Sequence, residues 1–68
     1  MKTTEEWIVE IRKYIATLNA RGRRTYYNFS VDMTEETANA IKAFFSDKYD
    51  VTVEVCPLNK WDIIITWH

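Results

Sequence analysis

The chain has 68 residues, 47% of them apolar and 15% aromatic, and a formal charge of −1. That length admits one small domain, residues 1–68, with a core near the lower limit for independent folding. One cysteine, Cys56, and one histidine, His68, exclude a disulfide framework and a His/Cys zinc site.

In chain order, a helix is predicted from about Thr4 to Ala20. Thr3 and Glu6 form a T-x-x-E capping box at its start. Trp7, Ile8, Ile11, Ile15 and Leu18 recur at helical spacing and make one apolar stripe, flanked by Tyr14. Gly22 is the only glycine and stands where a left-handed C-terminal cap is expected.

A strand follows, from about Arg24 to Val31. Strict alternation puts Tyr27, Phe29 and Val31 on its buried face and Tyr26, Asn28 and Ser30 on the other. A second helix is predicted from Glu35 to Lys48, capped by Thr34, with Asp32 an earlier cap candidate. Its buried stripe is Ala38, Ile41, Phe44, Phe45 and Tyr49.

Two strands complete the chain. Val51, Val53 and Val55 alternate with Thr52, Glu54 and Cys56, and Pro57-Leu58-Asn59-Lys60 is a turn in which Asn59 suits a left-handed conformation. The last strand runs from Trp61 to Trp67, with Trp61, Ile63, Ile65 and Trp67 inward and Asp62, Ile64, Thr66 and His68 outward. Reversed parity would instead expose the aromatic set. The element order is α-β-α-β-β. A right-handed crossover and a hairpin leave strand orders 1-3-2 and 1-2-3. The final strand is the most apolar run, so 1-3-2 is preferred, with antiparallel neighbours and both helices on one face: a two-layer α+β sandwich. The uncovered face would present Asn28, Glu54, Ile64 and Thr66 as a candidate interface, with sheet edges open to pairing.

Charge is unevenly spread. Residues 1–10 carry −2, residues 11–31 carry +5 and residues 32–68 carry −4. Arg21, Arg23 and Arg24 lead into Tyr26 and Tyr27, a pattern suited to phosphate contact and base stacking. The order β-α-β-β with the last strand central also recurs in some RNA-binding domains, an analogy of fold alone. The bland reading competes: arginine and glycine suit a helix C-terminus, and tyrosines are good strand formers.

Catalytic machinery is not expected. Cys56 and His68 fall at opposite ends of an antiparallel hairpin, the carboxylates suit helix N-termini, and one glycine excludes a phosphate-cradling loop. No cofactor or metal is implied. The opening Met1-Lys2-Thr3-Thr4-Glu5-Glu6 lacks a secretory apolar segment, and no run approaches the ~20 apolar residues that span a bilayer. A reducing, cytoplasmic setting is expected for one unpaired cysteine. The expected function is therefore that of a small non-enzymatic regulator that binds a protein partner, monomeric or dimeric through a sheet edge. In size and character it resembles the accessory regulators of phages and mobile elements. The alternative is a weak RNA or single-stranded DNA binder using Arg21, Arg23, Arg24 and Tyr26.

Overall fold

The structure, a computed structural model, describes residues 2–68. Its elements are α1 (Thr4–Ala20), β1 (Thr25–Asp32), α2 (Glu35–Phe45), β2 (Asp50–Cys56) and β3 (Lys60–Thr66), with a short 3-10 turn at Pro57–Asn59. The sheet order is β1-β3-β2, and both pairings are antiparallel. The order 1-2-3 is thereby excluded. Central placement of β3 follows from its sequence, because a central strand loses water on both edges and the Ile63-Ile64-Ile65 run tolerates that best.

Local chemistry sets the helix ends. The Thr3 hydroxyl accepts from the Glu6 N–H at 3.1 Å, and the Glu6 carboxylate accepts from the Thr3 N–H at 3.0 Å. Those hydrogen bonds hold the Glu6 carboxyl below the usual carboxylate range, helped by Lys2. At the other end, Arg23 N–H donates to Leu18 O at 2.9 Å and Gly22 N–H to Asn19 O at 3.0 Å, a Schellman closure. Gly22 takes φ +78, which a side chain would resist. Helix α2 starts at the Thr34 cap as predicted. It ends at Phe45 rather than Lys48, and the chain leaves it through a turn in which Lys48 and Tyr49 both donate to Phe45 O. The buried face of α2 runs through Thr37, Ala38, Ile41 and Phe45, which leaves Phe44 half in solvent and gives Thr37 the buried position instead. Thr37 meets both Thr4 and Thr34 through hydroxyl contacts of 3.0 and 3.1 Å, joining the N-termini of the two helices.

Both helices cover one face of the sheet. The core draws Trp7, Ile11 and Ile15 from α1, Ala38, Ile41 and Phe45 from α2, and Ile63, Ile65 and Trp67 from β3 and its end. Trp61 is half-buried. The inward set of β3 is therefore the one its sequence indicates, and the reversed parity does not occur. Val55 points the same way as Val51 and Val53 but remains 64% exposed, because it lies near the hairpin end of β2. That turn is tighter than expected: Leu58 as well as Asn59 adopts positive φ, at 65° and 57°.

Strand β1 departs most from expectation. Its register with β3 shifts between Asn28 and Val31, so Phe29 and Ser30 together oppose Asp62, a β-bulge. Ser30 takes φ +56, and its N–H donates to Asp62 Oδ1 at 3.0 Å. One extra residue reverses side-chain parity. Val31 is buried as predicted, but Tyr27 and Phe29 point away from the core, and Tyr26 takes the inward place.

Candidate functional site

The uncovered face of the sheet is built from the outward residues of all three strands. Tyr27 and Phe29 come from β1, Asp62, Ile64 and Thr66 from β3, and Asp50, Thr52, Glu54 and Cys56 from β2. Tyr27 pairs directly with Ile64, which pairs with Thr52 on its other side. Tyr27 and Phe29 stack on each other with ring centroids 5.8 Å apart and planes 29° apart. They are 61% and 56% exposed. An exposed aromatic pair beside a half-buried isoleucine is the most apolar patch of this face. Its rim is polar and acidic, with Glu54 and Asp62 towards β2.

The bulge creates this patch. Without Ser30, a parity that buries Val31 would bury Tyr27 and Phe29 as well. Asp62 holds the bulge in place through the Ser30 N–H. Its carboxylate also lies near the Cys56 thiol, and that neighbour, with burial and the negative charge of Glu54, pushes the thiol pKa up. A protonated thiol is a poor nucleophile.

The basic stretch divides into parts. Arg24 Nη1 donates to Asn19 Oδ1 at 2.9 Å and to Arg23 O at 3.0 Å. Asn19 Oδ1 also accepts from Trp67 Nε1 at 3.2 Å, so Arg24 belongs to a clamp joining α1 to the sheet. Arg21 and Arg23 are exposed, and among the described residues their side chains have no hydrogen bond or ion pair. Tyr26, a nucleic-acid contact candidate in the sequence, is only 5% exposed on the covered face and is unavailable for stacking on bases. Its hydroxyl accepts from Asn28 Nδ2 at 3.2 Å, and burial raises its pKa. Asn28 likewise leaves the open face, for the same reason of parity. Glu54, Ile64 and Thr66 stand on it as expected.

Parity taken from Val31 alone hid the roles of Tyr27 and Phe29. The run Tyr26-Tyr27-Asn28-Phe29 has no clean alternation, and that was the one available sign of a reset within the strand.

Cys56 pairs with Lys60 at the hairpin end, whereas exposed His68 lies beyond Thr66 at the other end of β3. Among the described residues no group of His, Cys, Asp and Glu side chains is placed to hold a metal ion. No described helix is long and apolar enough to cross a membrane. Comparison of the chain with protein families, curated proteins and solved structures finds no match.

Proposed function

We propose that the chain is a small non-enzymatic, cytoplasmic interaction protein that binds another protein through the open face of its sheet. The contact centre is Tyr27, Phe29 and Ile64. The exposed stacked pair carries this reading, since large aromatics left in water on a flat face are costly unless a partner covers them. A protein with an apolar patch fits better than nucleic acid. Asp50, Glu54 and Asp62 share the face and would repel a phosphate backbone, while Arg24 is engaged in the fold. The raised Cys56 pKa and its distance from His68 support a role without covalent chemistry.

The test is affinity capture from the source cell with wild type and a Tyr27→Ala/Phe29→Ala variant, beside titration of labelled RNA and single-stranded DNA. Each truncation is expected to weaken protein binding by about 2 kcal/mol, roughly 30-fold, while removing less than about 1 kcal/mol of stability. A protein retained equally by the variant refutes the assigned face. Steeply salt-dependent nucleic-acid binding that Arg21→Ala/Arg23→Ala abolishes would establish the alternative instead.

A further inference from the structure

Strand β1 is an edge: among the described residues it pairs with β3 alone. Trp67 N–H donates to Arg24 O at 2.9 Å, so residue 24 turns its backbone towards β3. By the alternation of antiparallel ladders, Tyr26 and Asn28 do the same, and Thr25 and Tyr27 turn their N–H and C=O groups outward. Two shallow hollows run along this edge, between β1 and α1. One, of about 550 Å³, is lined by Glu6, Asn28 and Asp32; the other, of about 420 Å³, by Arg23, Thr25 and Tyr27. They meet at Asn28, Trp7 and Lys2, which line both. Lys2 at this junction is neutralised by Glu10 at 3.1 Å.

Asp32 is paired with Lys60 at 2.5 Å, so the net negative charge of that end rests on Glu6, and the edge runs from acidic to basic about a midpoint near Tyr27 and Asn28. An antiparallel copy of the same edge presents the reverse order of charge at the same spacing. We propose that β1 pairs antiparallel with β1 of a second copy of this chain, about a two-fold axis near Tyr27. Arg23 and Arg21 of each copy then face Glu6 of the other, beside the Asp32–Lys60 pair. Among the described residues these two arginines have no ion-pair partner within the chain. Tyr27 exchanges two backbone hydrogen bonds with its symmetry mate, and Thr25 lies opposite Phe29 of the other copy. On the open face Tyr27 stands against its symmetry mate, so the two aromatic pairs form one continuous patch on a doubled sheet. An isologous contact of this kind closes and goes no further. The bulge at Ser30 limits its length, because a bulge twists the strand out of line for pairing. The inference does not depend on what the open face binds.

Sedimentation velocity of the full chain, over a concentration series at low and moderate salt, tests it. A monomer–dimer equilibrium that weakens with salt is expected. Arg21→Glu/Arg23→Glu is expected to weaken it at least about tenfold without changing the circular dichroism. Tyr27→Pro, which removes an outward N–H not needed within the sheet, is expected to abolish it. Amide exchange at Thr25 and Tyr27 is expected to slow as dimer forms, a readout that stands even if the proline variant folds poorly. A chain that remains monomeric up to about 1 mM at low salt overturns the proposal, since that places Kd above the mM range. So does a dimer that leaves those two amides unprotected.

Discussion

Substituting Ser30 by valine separates a bulged β1 from a regular one by the sign of the effect. In a regular strand, valine is a better residue than serine, by a margin within the ~1 kcal/mol span of strand propensities. In the bulge, Ser30 sits at φ +56, where a β-branched side chain crowds its own backbone. Strain of that kind costs about 1–3 kcal/mol, of which serine already bears part, so Ser30→Val should destabilise by about 1–2 kcal/mol. For a domain of this size the melting temperature should fall by about 5–15 °C. Ser30→Gly relieves the strain but loosens the unfolded chain, so it should stay within about 0.5 kcal/mol of wild type. Urea unfolding gives both values, with the slope as a check that the unfolded state is unchanged. Asp62→Ala removes the acceptor of the Ser30 N–H and Ser30→Val strains the backbone that carries that N–H, so the two should be non-additive in a double-mutant cycle. A valine variant as stable as wild type, with additive cycles, would refute the bulge and with it the outward placement of Tyr27 and Phe29.

Three further outcomes follow from the geometry. The Glu6 pKa is depressed in the fold by its capping bonds, so its contribution is full above the ordinary carboxylate value and lost as pH falls through the depressed one. The stability gap between wild type and Glu6→Ala should therefore close as pH drops from about 5 to about 2, measured by denaturant titration at each pH. Cys56 should be alkylated more slowly near neutral pH than a free thiol, and Asp62→Ala should accelerate it; an unchanged rate in that variant would show that Asp62 does not hold the proton. Ile63 is fully buried on the central strand, so Ile63→Ala should cost about 2–5 kcal/mol, comparable to the whole stability of a chain this short, and thermal scans should find it largely unfolded at 37 °C.

Features governed by near neighbours were legible without a fold. Thr3 with Glu6, Thr34, Gly22 and Asn59 act within a few residues of themselves, and each does in the structure what its local chemistry requires. The apolar stripes of both helices and the Ile63–Ile65 run carried enough pattern to give the layers and the strand order, since burial rewards one face of each element. The end of α2 was less legible, because Ser46, Asp47 and Lys48 carry no glycine or proline to stop a helix, and the turn after Phe45 belongs to the path that leads the chain into β2.

The candidate surface depended on a contact between distant residues. Tyr27 and Phe29 are no less apolar than their buried neighbours, and the broken alternation of Tyr26-Tyr27-Asn28-Phe29 does not say which residue of β1 will be skipped. The bulge exists because Asp62, 32 positions later on the central strand, accepts the orphaned N–H. In the same way Asn19, far from Trp67 in sequence, draws Arg24 into the fold and leaves Arg21 and Arg23 free. Composition and periodicity thus decided the elements, their caps and their layering. Tertiary pairing alone decided which side of β1 meets water, because a single inserted residue exchanges the two faces of a strand and its cost is set by a partner brought from elsewhere in the chain.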